Sequence, residues 1–127
     1  MRNDMITEDF VSFEVAKLLK EKGFDKFSYY GWDEQLFDKE HPRNFSIGID
    51  DKKQWISCHT HQMAMKWLRE VHNLHIWFGH SVGKGLSWYY EIHGISDGKV
   101  KHIGGIQYGS YEVACESALK YALENLL

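Results

Sequence analysis

Apolar residues recur at helical spacing in three stretches of this chain and alternate with polar residues in much of what lies between. Val11, Val15, Leu18 and Leu19 mark the first stretch and predict a helix from about Glu8 to Lys22. Thr7 is its expected N-cap, Glu8 and Asp9 suit the positive end of the helix dipole, and Gly23 follows a lysine-rich last turn. In the second, Ala64, Trp67, Leu68 and Val71 line one face, Thr60 can cap the start, and Asn73 can take the left-handed position that ends it. The third runs from about Ser110 to Asn125. Its Ala114, Ala118 and Ala122 sit four apart and let the helix axis approach a partner surface closely, with Tyr111, Cys115, Leu119 and Leu126 at the margins.

Phe27 to Trp32 is short and aromatic and reads as a strand. Asp33 to Arg43 is polar, holds the only proline, Pro42, and reads as a loop. Asn44 to Ile49 and Gln54 to Cys58 are two further strand pieces around a turn at Asp50 to Lys53. Leu74 to Phe78 and Leu86 to Ile92 alternate apolar and polar residues on either side of a Gly83-Lys84-Gly85 tip, the pattern of a β-hairpin. A further strand is expected near His102 to Tyr108. With helices before, between and after antiparallel strands, the class is α+β. Neither a repeat nor a linker divides residues 1–127, so a single domain is expected. Helices on both sheet faces would make an α-β-α sandwich, and helices on one face a two-layer fold.

The hairpin carries the most specific expectation. Leu74, Ile76 and Phe78 on one strand and Leu86, Trp88, Tyr90 and Ile92 on the other all fall on even positions. Strand side chains alternate faces, so even must pair with even. A short loop then sets Phe78 opposite Tyr90, Trp77 opposite Glu91 and His75 opposite His93, and gathers His75, Trp77, Tyr89, Glu91 and His93 on the other face. If that face is open, it is an aromatic and titratable patch for binding a partner; if the last helix or a second copy covers it, the same residues form a second core.

Composition sharpens this in one respect. Aromatic residues make up 15% of the chain, and such side chains dominate both cores and interfaces. The net charge of −3, with lysines and arginines scattered, disfavours nucleic-acid binding. No stretch approaches 18 consecutive apolar residues and the first eight lack the pattern of a signal peptide, so neither membrane insertion nor export is expected and the setting is cytoplasmic. Cys58 and Cys115 are too few and too far apart for a disulfide framework or a CxxC motif, and are expected as free thiols.

Candidate chemistry is weak throughout. Gly79 to Gly85 resembles a phosphate-binding loop, but its glycine spacing is one residue short and Gly85 stands where a Ser or Thr is needed. Of the eight histidines, His59 and His61 cluster with Cys58, while His72 and His75 lie three apart. Cys58 and His59 should diverge as strand neighbours, and His61 begins the helix that His72 ends about 16 Å away. No zinc site follows from that spacing, and no cofactor or catalytic residue is assigned. The carboxylate pairs at Asp33-Glu34, Asp38-Glu40 and Asp50-Asp51 lack the ligand spacing of a calcium loop.

Phe13 to Leu18 with Gly23-Phe24-Asp25, Gln62 to Glu70 with His72-Asn73-Leu74, and Tyr111 to Ala114 together resemble short uncharacterised proteins of phages and mobile elements of Bacteroidota. More loosely, they are similar to the phage α-β-α sandwich domain. The likeness spans most of the chain outside Asp33 to Lys53 and consists of helix stripes and caps. It implies a setting rather than an activity: a non-enzymatic accessory or protein-interaction module of a phage or mobile element. The partner would be another protein or a second copy in a homodimer. The alternative is a nucleotide or single-stranded nucleic-acid binder using Tyr29, Tyr30, Trp77 and Tyr89 as stacking platforms.

Overall fold

A computed structural model describes residues 9–45, 54–81, 87–104 and 109–127. Within them the order is α1 (Phe13–Glu21), β1 (Tyr30–Asp33), β2 (Arg43–Asn44), β3 (Trp55–Ser57), α2 (His61–His72), β4 (Leu74–Ser81), β5 (Ser87–Gly94), β6 (Val100–Ile103) and α3 (Tyr111–Asn125). The fold is α+β, with two three-stranded antiparallel sheets ordered β2-β1-β3 and β4-β5-β6.

The first helix begins later than its sequence pattern suggests. Ser12 is the N-cap, its Oγ accepting from the Val15 amide, and Asp9 to Ser12 lie outside the helix. The Val11 amide donates to the His59 carbonyl instead, so Val11 is buried as part of an extended segment. Thr7 and Glu8 lie outside the described residues.

The second helix starts and stops where its capping residues predict. Thr60 Oγ1 accepts from the Met63 amide, and Asn73 ends the helix at φ 60°. Its buried arc is rotated from the predicted one. His61, Met65 and Leu68 recur at intervals of four and three and face inward with Ala64, while Val71 is exposed. Trp67 is covered from the side, stacked on Phe24 at 5.3 Å and edge-on to His72 at 4.6 Å.

Ser110 caps α3, where Ala114, Ala118 and Ala122 are fully buried beside Cys115, Leu119 and Leu123. These small side chains bring the helix down onto β5. One cluster of buried side chains draws on all three helices and both sheets, including Trp32 and Ile56 from the first sheet and Ile76, Tyr90 and Ile92 from the second. Trp55 faces the other side of the first sheet and packs edge-on against Phe45 at 5.2 Å, with its Nε1 donating to the Ser28 carbonyl.

Several strand boundaries are corrected by the structure, among them the end of β4, which runs on to Ser81, three residues past the expected Phe78. The first strand begins at Tyr30 rather than Phe27, and the Phe27 ring instead joins Tyr29 and Phe45 in an aromatic cluster. The second is described at Arg43–Asn44, beginning one residue before the expected start, while residues 46–49 of that expected strand and the turn at 50–53 lie outside the described residues. The last begins at Val100, upstream of His102, because a turn at Asp97-Gly98 returns the chain early. Gly98 has φ +67°, the Gly94 amide donates to the Lys99 carbonyl, and Asp97 Oδ1 accepts from the Lys99 amide. Residues 105–108 of that expected strand, and the hairpin tip at 83–85, are not among those described.

Candidate functional site: the uncovered face of the second sheet

The hairpin pairs in the register that its alternation dictates. Phe78 lies opposite Tyr90, Trp77 opposite Glu91 and His75 opposite His93. Even-numbered residues turn toward α2 and α3, where Ile76, Tyr90 and Ile92 are buried and Phe78 and Trp88 meet the ring of Tyr111. Odd-numbered residues turn away. His75 is exposed, Trp77 retains 46% of its accessible surface, and Tyr89, Glu91 and His93 are half-buried among themselves. With α2 and α3 packed on one side only, this sheet has the two-layer arrangement among the described residues rather than that of a sandwich.

Several contacts shape the open face. Trp77 and Tyr89, diagonal neighbours, meet at 66° with ring centroids 5.8 Å apart. The Tyr89 ring reaches across the strand to lie over Gly79, where a Cβ would come within 2.5 Å of it. His93 Nε2 is 3.1 Å from Glu91 Oε1. His75, Trp77, Glu91 and His93 line a shallow hollow of about 280 Å³. Four of the five residues singled out in the sequence thus share one depression, and Tyr89 stands at its edge against Trp77.

The third strand extends the patch with residues that the sequence pattern did not assign to it. Ile103 pairs with Glu91, and a bulge between Ile92 and His93 shifts the register so that His93 faces Val100; both apolar partners are exposed. The Asp97-Gly98 dipeptide was the available signal for this strand, since such a pair closes tight turns.

The other sequence candidates separate. Tyr29, with 72% of its surface exposed, and Tyr30 belong to the first sheet's end of the molecule, where their rings meet Phe27 and Phe45, and Phe10, respectively. They do not join Trp77 and Tyr89 in one platform. Cys58 is buried, with Sγ 3.6 Å from the Val11 carbonyl, while His59 bonds through Nε2 to the Lys26 carbonyl. Both Cys58 and Cys115 are free thiols, and desolvation pushes each up to about 12. Among the described residues, no group of three or more His, Cys, Asp or Glu side chains could hold a metal ion.

One polar cluster arises from residues 55 positions apart and had no local signal. His61 is 5% exposed, and its Nε2 lies 2.9 Å from Glu116 Oε1. The same carboxylate accepts from the Ser12 amide at 2.7 Å and from Ser12 Oγ at 2.8 Å. Burial raises the Glu116 pKa, but the bonds from His61 and Ser12 outweigh it and hold the group below its ordinary value. An ionised carboxylate only accepts, so His61 Nε2 carries the proton in this pair.

Comparison with known proteins finds no matching family model, curated protein or solved structure. No helix among the described residues is long and apolar enough to cross a membrane.

Proposed function

We propose that this chain is a non-enzymatic, cytoplasmic protein-interaction module, an accessory protein of a phage or mobile element, that docks a partner protein on the uncovered face of β4-β5-β6. The observation that carries this reading is the exposure of Trp77 beside Tyr89 on a face that α2 and α3 leave free. A large aromatic side chain half out of water, next to groups that accept and donate hydrogen bonds, is the composition of an interface centre.

By area, this face alone is too small to hold a stable complex. Three strands about 4.8 Å apart, with at most eight residues at about 3.4 Å each, span under about 400 Å². A stable complex needs about 800 Å² from each partner, so the docked protein must also reach beyond these three strands. Nucleic acid fits less well. Trp77 and Tyr89 meet at 66° rather than offering parallel stacking surfaces, and Glu91 sets a carboxylate where phosphates would pass.

The test is affinity capture from a host lysate with three baits: the natural chain, a Trp77→Ala/Tyr89→Ala double variant, and Val71→Ser, which alters an exposed apolar residue on α2. The expected result is a protein retained by the first and third baits and lost with the second. Equal capture by all three, or capture by none, would remove the face from the account.

A further inference from the structure

We infer that the cleft between the N-terminal end of α1, β1 and the first turns of α3 binds a small organic cation, an ammonium group carried on an apolar body. This inference does not depend on the docking face, which lies on the other sheet. The cleft is an open groove of about 650 Å³, within the volume range of small-molecule sites.

Its walls are aromatic. Phe10 and Tyr30 form one side, with ring centroids 5.2 Å apart, and Phe13 and Trp32 form another, edge to face at 5.5 Å. Trp32 is 2% exposed and fixed in the core, whereas Phe10 stands 47% exposed at the margin. Aromatic faces carry negative potential and attract cations most strongly where water is partly excluded.

The charges around those walls have the matching sign. Asp9, Glu40, Glu112 and Glu116 line the cleft against a single lysine, Lys39, a formal four negative charges to one positive that the positive N-terminal ends of α1 and α3 offset only in part. The chain as a whole carries −3, so the deficit is concentrated here. Glu116 keeps its charge through the bonds from His61 and Ser12.

The protein itself supplies an example of the ligand. Lys39 places its ammonium 4.7 Å from the centre of the Phe13 ring, while donating to the Glu34 carbonyl at 2.7 Å. One aromatic wall is therefore already occupied by an alkylammonium from the 34–42 loop. A ligand cation would settle against the Phe10 and Tyr30 side or displace Lys39 from Phe13, so Lys39 acts as an internal competitor.

Choline and its uncharged isostere 3,3-dimethylbutan-1-ol separate charge recognition from apolar binding. Titration of each would be followed by tryptophan emission and by amide shifts of residues 9–13 and 30–32. The expected result is saturable binding of choline, with the isostere about tenfold weaker. Lys39→Gln should tighten choline severalfold, and Glu40→Gln/Glu112→Gln, which changes two exposed side chains and leaves the fold intact, should weaken it about fivefold or more. Equal binding of the two probes would overturn the inference. So would the absence of shifts up to about 50 mM choline in both the natural chain and Lys39→Gln. An unchanged affinity in the double variant, with its thermal midpoint preserved, would do the same.

Discussion

The ring of Tyr89 lies over Gly79 on the neighbouring strand, so close that a Cβ at position 79 would fall 2.5 Å from it. The glycine gives the ring a flat place to lie, and from there the ring meets Trp77. The hollow beside it depends on that arrangement.

Gly79→Ala should therefore leave the fold standing and disturb the face. The Tyr89 ring can rotate away, and a glycine in a strand interior contributes little stability of its own, so the unfolding free energy should change by no more than about 1 kcal/mol. Partner capture should fall, and the indole N–H resonance of Trp77 should shift as its neighbour leaves. An unaltered Trp77 indole resonance would mean that Tyr89 does not hold Trp77 in place.

The Glu116 cluster predicts an acid-side loss of stability. The folded pKa of Glu116 lies below the ordinary 4.5, so its contribution is fully present above that pH and is lost as pH falls through the folded value. Glu116→Gln removes charge-assisted bonds from His61 and Ser12 and should cost about 1.5 to 3 kcal/mol at neutral pH. Its stability should also decline less steeply than that of the natural chain on acidification below pH 4.5. Parallel curves for the two proteins would show that the carboxylate is not held ionised by these partners.

The two cysteines should be silent in the native state. Both are buried and pushed up to about 12 by desolvation, so almost no thiolate exists at pH 8. A chromogenic disulfide reagent at pH 8 should react negligibly with the folded chain and with both thiols in denaturant. Rapid reaction of one equivalent without denaturant would place Cys58 or Cys115 outside the core.

What was legible in the sequence was whatever local chemistry dictates. Thr60, Asn73 and Ser110 set helix ends because capping uses bonds within a few residues, and the even positions of the hairpin set its register because side chains alternate. The start of α1 was misplaced because Asp9 and Val11 offer a helical pattern while a contact 48 residues away, from the Val11 amide to the His59 carbonyl, holds them extended. The exposure of Val71 had the same kind of origin, since the buried side of α2 is chosen by the surfaces that meet it. The openness of the His75, Trp77 and His93 face was undecided in the sequence because alternation shows which residues share a face and says nothing of what covers it. The aromatic cleft was invisible for a related reason: Phe10, Tyr30, His61 and Glu116 meet only through tertiary folding.

The most direct test of the uncovered face is the equilibrium unfolding free energy of Trp77→Ala. A half-exposed tryptophan whose ring partner on the sheet face is Tyr89 should cost less than about 1.5 kcal/mol when truncated. A loss of about 3 to 5 kcal/mol, the cost of removing a core tryptophan, would show that the face is buried in solution and contradict its role as a docking surface.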